Sequence, residues 1–368
     1  MMDNADRLVH QGKRIREIRV ELGYSSDNVA SLLEFSSRQL VYDLEKGKRD
    51  LKAYEAVKLA HYFGITPEEL VTGESSAKAP ISWRGEPDKH AENILRTRLA
   101  GYIKLEKFAG ESSESSMPSY SLAADDSFES IAETAESVAG ALNLGEYPAR
   151  ILAETIRKKW NVIVFTVPLS SGSAACIRER GISAVLLNSN DAWWRRNFSL
   201  GHELFHLLFT DTAGISEHRI EQLANIFASN LMMPCDTINA NMRRLAKAES
   251  IQYFDLMQLS REYMVSTEAL LWRMFFLEII PKEIIDRFQS DSDLKALDKE
   301  VHGSIVREEP ELPPDLVFLA YKVYLRGRIS VGKLAEYLET TVGQLKRILI
   351  SYGIEPFAKF YEASISNS

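Results

Sequence analysis

Two histidines stand four residues apart in His202-Glu203-Leu204-Phe205-His206, inside a run that is otherwise apolar: Phe198, Leu200, Leu204, Leu207, Leu208 and Phe209. Residues four apart on an α-helix project from one face, one turn apart, so both imidazoles can reach one tetrahedral zinc ion. Glu203, beside them, is placed to take a proton from an attacking water and return it to a leaving amine. A bare match to this spacing arises by chance in roughly one chain in eighty of this composition. The apolar setting is what lifts it above chance, because a carboxylate and two imidazoles among leucines and phenylalanines are costly unless they work together.

A third ligand must come from elsewhere in the chain. The segment His218-Arg219-Ile220-Glu221-Gln222-Leu223-Ala224-Asn225-Ile226-Phe227-Ala228 reads as a helix. Glu221 and Asn225 share one face of it, and Ala224 and Ala228 form a small-residue stripe that lets another helix approach closely. Glu221 would complete a two-His-one-Glu set with one open position, and Asn225 would orient a ligand from behind. His218 and Asp211 are the alternatives, and a solvated helix face is the plain reading of Glu221.

At 368 residues with 45% hydrophobic and 26% charged side chains, the chain is long enough for two or three ordinary globular domains. Residues 8–73 read as five short helices. Ile15, Ile18 and Leu22 recur at helical spacing before a stop at Gly23; further helices follow Ser25/Ser26, run from Ser37 to Leu44 and from Lys52 to Phe63, and start at Thr66-Pro67. A longer helix over 88–109 leads into Gly110–Ser127, whose Ser, Gly, Pro and Asp content reads as a flexible linker. Helices at 128–142 and 148–159 then precede strands at Val162–Val167 and Ser183–Leu187, and helices at 193–209 and 217–232. The remainder reads as helical, with a weak polar stretch at 289–313. No repeat of fixed period is found.

The first module has helix-turn-helix spacing in its helices at 26–33 and 37–45. The second of these would enter the major groove. Arg38 and Gln39 suit guanine and adenine edges, and Tyr42 and Asp43 lie one turn on. Lys46, Lys48 and Arg49 would meet phosphates. Ten Lys/Arg stand against seven Asp/Glu between Arg7 and Lys52, a surplus of three, so nonspecific affinity is modest and dimerisation is expected to supply the rest.

The net charge of -8 argues against a protein that coats nucleic acid indiscriminately. Cys176 and Cys235 are too few for a disulfide framework and lack zinc-ribbon spacing, which favours reduced thiols. The start of the chain lacks an apolar run behind a basic one, and no segment approaches the ~18 apolar residues of a membrane span. A cytoplasmic protein without a membrane association is the expectation.

The run Arg195-Arg196-Asn197-Phe198-Ser199-Leu200-Gly201-His202-Glu203-Leu204-Phe205-His206, followed by Glu221-x-x-Ala224-Asn225-x-Phe227-Ala228 and Leu231-Met232-Met233-Pro234, resembles the ImmA/IrrE family of metallopeptidases over about 128–280. The likeness extends to Ala184–Asn188 and to Val265-Ser266. It implies a gluzincin-like fold with a small sheet, a zinc cofactor held by His202, His206 and Glu221, and Glu203 as the catalytic residue. Gly201 stands where the family usually has alanine and Phe205 where glycine is common, so local packing should differ.

Gly12-Lys-Arg-Ile-Arg-Glu-Ile-Arg-x-Glu-x-Gly23 and Arg38-Gln39-x-Val-x-x-Leu-Glu-x-Gly-x-Arg49 resemble Xre/Cro-like repressor domains. Ser26 stands where glutamine is usual, and the Ala30–Glu45 stretch is one residue longer than in the simplest phage repressors. Ile81-Ser82-Trp83-Arg84 with the helix after it resembles the connector of bacterial regulators that fuse these modules; Trp83 itself reads as a core or interdomain aromatic. Arg326–Arg347 is basic with helix-turn-helix rhythm, read as structural or regulatory.

The expected architecture is mainly α with a small α+β part. It comprises a DNA-binding domain over 1–75, a connector helix and linker over 76–127, a zinc peptidase over 128–280 and a helical regulatory region over 281–368. Stand-alone family members cleave small Xre-like repressors, so the leading function is a regulator that cleaves a repressor, either a partner or itself. Expected partners are double-stranded operator DNA, a repressor or toxin protein, a single-stranded DNA or small-molecule inducer, and a second copy in a homodimer. The alternatives are a DNA-binding sensor or antitoxin that cuts little, and a peptidase that uses the helical module only for docking.

Overall fold

The computed structural model describes residues 4–21, 24–63, 67–72, 79–110, 116–123, 125–179, 181–246, 251–303 and 312–355. They fall into two compact units, one of residues 1–80 and 88–104, the other of 81–87 and 105–368. The stops expected at Gly23 and Gly64 and the cap at Thr66 lie outside the described residues, as does Leu22.

The first unit holds α1 (Asn4–Glu21), α2 (Ser26–Leu32), α3 (Arg38–Glu45), α4 (Ala53–Phe63) and α5 (Pro67–Thr72). Ser25 caps α2 through a capping box with Asn28, which satisfies two otherwise orphaned amides. Ile15, Ile18, Val29, Val41, Leu44, Leu59, Phe63 and Leu70 form its core. Gly12 permits α1 to touch α3: a Cβ there would lie 2.4 Å from the Leu44 carbonyl oxygen. The helix α6 (Lys89–Ala109) belongs to this unit as far as Lys104.

The second unit is built on a four-stranded mixed sheet of β1 (Ile81–Arg84), β3 (Val162–Val167), β4 (Ala174–Glu179) and β5 (Ile182–Asn188), in the order β1-β4-β5-β3. β3 runs parallel to β5, β4 antiparallel to β5, and β1 antiparallel to β4. Every residue of β5 is buried, as its central position requires. The helices α7 (Phe128–Leu142), α8 (Leu152–Trp160), α9 (Trp193–Leu208) and α10 (Glu217–Met232) contribute to one core with the sheet.

The Ser-rich stretch read as a flexible linker is corrected where it is described. β2 (Tyr120–Ser121) pairs with β6 (Phe209–Asp211), and Met117 and Leu122 join the main core. Two of its described serines are held by neighbours: Ser116 donates to the Lys159 carbonyl, and Ser119 pairs with Thr210.

The chain continues through α11 (Cys235–Leu245), α12 (Tyr253–Tyr263), α13 (Thr267–Phe276), α14 (Lys282–Ser290) and α15 (Ser292–Gly303). Ile285, Phe288 and Val301 belong to the same core as α9 and α10, so the polar stretch at 289–313 begins as packed helix and the core runs on past residue 280. After α16 (Pro314–Leu325), the basic segment from Arg326 forms α17 (Val331–Tyr337) and enters α18 (Leu345–Ser351), in keeping with its helix-turn-helix rhythm.

Candidate metal centre and nucleic-acid interface

α9 and α10 pack along the small residues picked out in the sequence. Ala224 and Ala228 are fully buried, and a Cβ on Gly201 would lie 3.4 Å from that of Ala228 and 2.9 Å from the Met232 methyl. Gly201 therefore makes room for Met232, the local packing difference expected of its departure from alanine. Phe205 is fully buried and stacks on Phe209 at 4.3 Å between ring centroids.

That close approach brings three side chains to one point. His202 Nε2 lies 3.2 Å from Glu221 Oε2, His206 Nε2 lies 3.2 Å from Glu221 Oε1, and the two Nε2 atoms are 3.2 Å apart. Four ligands at 2.0–2.1 Å from a tetrahedral zinc sit about 3.3 Å from one another, so the spacing of these atoms is what such an ion needs. Behind His202, Nδ1 faces Asn225 Oδ1 at 3.1 Å. A proton on Nδ1 donated to Asn225 leaves the Nε2 lone pair directed at the shared point. Burial lowers the His202 pKa and so favours the neutral imidazole, which is the form that binds metals. Burial works to raise the Glu221 carboxyl, but its bonds to His202 and His206 outweigh this and hold it well below the usual carboxylate range. The described cluster able to hold a metal is His202, His206 and Glu221. Asp211 is exposed, and His218 is exposed and paired with Gln222; neither joins it.

Glu203 is fully buried, and neither carboxylate oxygen has a well-formed hydrogen bond. The Cys176 thiol abuts it from β4, a weak donor at best. Burial pushes the Glu203 pKa up to about 7, the range suited to taking and returning a proton near neutral pH.

Three neighbours of this site were not singled out for it in the sequence. Arg84, at the end of β1, donates to Ser199 Oγ at 2.6 Å and covers the Phe198 ring at 5.2 Å. Its burial lowers its pKa, against the opposing charges of Glu203 and Glu221. Ser199, one turn before Glu203, is fully buried. Cys176 is a free thiol, as is Cys235. The available signals were a basic residue ending the Ile-Ser-Trp-Arg run and a hydroxyl on the apolar face of the motif helix.

In the first unit, Arg38, Gln39 and Tyr42 are exposed on α3 while Val41, Leu44 and Glu45 face inward. Gln39 donates to Asp43 at 3.0 Å, and Lys46 lies over the Tyr42 ring at 5.6 Å. Lys46 and Lys48 are exposed. Arg49, expected at a phosphate, has a partner within the unit: both terminal nitrogens grip the Glu55 carboxylate, at 2.9 and 2.6 Å, and the guanidinium covers Phe35 at 4.5 Å.

Among the described residues, no helix is long and apolar enough to cross a membrane. Residues 12–76 match the family model described as a helix-turn-helix domain, and residues 157–275 match a peptidase family model described as an IrrE N-terminal-like domain. No curated protein matches the chain. An Xre-like helix-turn-helix domain and an ImmA/IrrE-type peptidase domain therefore stand on one chain.

Proposed function

We propose that this chain, a helix-turn-helix domain joined to an ImmA/IrrE-type peptidase domain, is a cytoplasmic transcriptional regulator whose second unit is a zinc-dependent endopeptidase. It binds double-stranded operator DNA as a homodimer and cleaves a repressor, a partner or a copy of itself, when a single-stranded DNA or small-molecule inducer signals stress. The observation that carries the catalytic part is the pairing of a preformed three-ligand point with a buried, unpaired Glu203. A binding module has no use for that carboxylate.

In this reading His202, His206 and Glu221 hold the ion, and Asn225 fixes the His202 tautomer. Zinc, when bound, polarises the scissile carbonyl and acidifies water. Glu203 takes a proton from the attacking water and delivers it to the leaving amine. In the resting chain the Arg84 charge interacts with those of Glu203 and Glu221.

Purified protein should carry about one zinc per chain, and a His202→Ala/His206→Ala double variant should carry none. Glu221→Ala should also lose metal, whereas His218→Ala should keep it. Incubating the zinc-loaded protein with an Xre-like repressor, with and without single-stranded DNA, should give fragments by mass spectrometry. Equal zinc in wild type and double variant would refute the site. Intact zinc with no fragment under any inducing condition would favour the sensor reading.

A further inference from the structure

Resting on that peptidase reading, we propose that Ile81–Arg84 occupies, within its own chain, the place of an extended peptide substrate. A peptide of the same pattern, a small polar residue followed two places on by arginine, would then lie antiparallel along β4 once this strand has left.

β4 is the strand that borders the catalytic centre, because its Cys176 abuts Glu203. Its outer edge is covered by β1, with Ser82 opposite Cys176 and Arg84 opposite Ala174. Alternation along a strand puts Ser82 and Arg84 on the same face as Cys176, toward α9. Arg84 then reaches across to Ser199 on α9, so its side chain bridges the groove between the sheet edge and the motif helix. A peptide added to β4 would run along this groove.

The neighbouring backbone is shaped to receive an extended chain. The Ser173 amide donates to the Arg84 carbonyl at 2.9 Å, and Ser171 Oγ donates to that of Glu86 at 3.3 Å. Gly172, at φ +70°, permits the approach, since a Cβ there would lie 2.9 Å from the Glu86 oxygen. Backbone bonds of this kind accept any extended peptide, and alternate side chains supply selectivity. The Ser199 hydroxyl, which accepts from Arg84 at 2.6 Å, makes a long donor such as arginine the favoured side chain at this position.

Burial separates β1 from a permanent strand. β5 is buried throughout, and β3 and β4 are each buried at four of six positions. β1 has no buried residue: Ile81, Trp83 and Arg84 are half-buried and Ser82 is exposed. A short strand with so little burial belongs to the low-stability end of a fold, so another peptide can replace it.

The test uses full-length, zinc-loaded Glu203→Gln protein, which binds without cutting, and a fluorescent peptide with the sequence of residues 81–87. Arg84→Ala in the protein removes the bridge to Ser199 and should tighten peptide binding about tenfold, the scale of one charge-assisted hydrogen bond. Ser82→Cys, opposite Cys176, allows a cross-strand disulfide that holds β1 in place; oxidation should abolish peptide binding and reduction restore it. A peptide with alanine at the Arg84 position, which cannot reach Ser199, should bind about tenfold more weakly. Unchanged affinity in Arg84→Ala, or full binding to the oxidised form, would overturn the proposal. If binding behaves as expected but protein with Glu203 intact cuts nothing, the docking edge stands and the peptidase reading falls.

Discussion

Glu55 in the helical unit and Glu203 in the peptidase unit are both fully excluded from solvent, yet they end in opposite electrostatic states. Around Glu55, burial would raise the pKa, but the Arg49 fork, the Lys52 amide and the Tyr54 hydroxyl together lower it. Around Glu203, burial outweighs the opposing pull of His206, the Cys176 thiol and Arg84, and the pKa climbs to about 7. Glu45, also buried, is likewise paired, gripped by Arg19 at 2.6 Å. A buried carboxylate with its bonds satisfied holds a fold together. One left unsatisfied is a cost to stability that persists only where chemistry uses it.

The sharpest way to break this contrast is to remove each charge without changing its size. Glu203→Gln should cut proteolysis by about 10²–10⁴-fold while zinc content and thermal stability hold or rise, because no ion pair is lost. A fall in Tm with activity preserved would make Glu203 structural. Glu55→Gln should act in the opposite sense, leaving the peptidase unit's activity intact and costing the helical unit about 2 kcal/mol, since Arg49 loses its partner. Arg49→Ala should destabilise similarly. Melts of the full-length chain that follow the helical unit check both.

The same contrast explains what could be read from the sequence. The motif helix, Glu221 and Asn225 were legible because side chains at helical spacing sort themselves onto one face, and α7 and α10 begin and end where their serine caps and apolar periods place them. The pairing of Arg49 with Glu55 went unread because Glu55 carries no local mark: a basic residue behind a recognition helix looks alike whether or not a buried acid holds it. β4 was missed because Ala174-Ala-Cys-Ile-Arg-Glu179 has neither β-branched enrichment nor alternation; it is a strand because β1 and β5 flank it. Arg84 was noted only as part of a connector, since 115 residues separate it from Ser199.

Smaller effects are expected on the DNA face, where side chains are exposed and little is lost by removing them. Arg38→Ala/Gln39→Ala should reduce discrimination between operator and random DNA by about 1–3 kcal/mol. Lys46→Ala/Lys48→Ala should weaken binding to both and lower the salt slope by about 2. A fragment of residues 1–75 should bind more weakly than the full chain, because so small a basic surplus neutralises few phosphates. Unaltered specificity in the first variant would move the reading helix elsewhere.

The smallest expected effect tests whether the peptidase unit also contains a satisfied buried charge. His302 is 1% exposed, and acceptors face both its nitrogens. Nδ1 lies 3.1 Å from Asp298 Oδ1 and 3.0 Å from the Asp298 carbonyl, while Nε2 lies 3.2 Å from Ser260 Oγ and 3.3 Å from the Val265 carbonyl. Trp194 lies 4.8 Å away, centroid to centroid. Burial lowers the His302 pKa, but the bonds to Asp298 outweigh it and the net shift is upward. A pKa raised on folding adds stability that is fully present below the unfolded value, about 6.5, and is lost as pH rises through the folded value. Glu55, with a lowered pKa, adds stability that is lost only as pH falls through its folded value. The two contributions should therefore fade at opposite ends of the pH range. Melts from acid to alkaline pH should show the wild type ahead of His302→Gln by the widest margin at low pH, narrowing by about 2–4 °C as the imidazolium loses its proton. A margin that stays constant across that range would mean His302 is neutral in the folded protein, and the resemblance to Glu55 would end there.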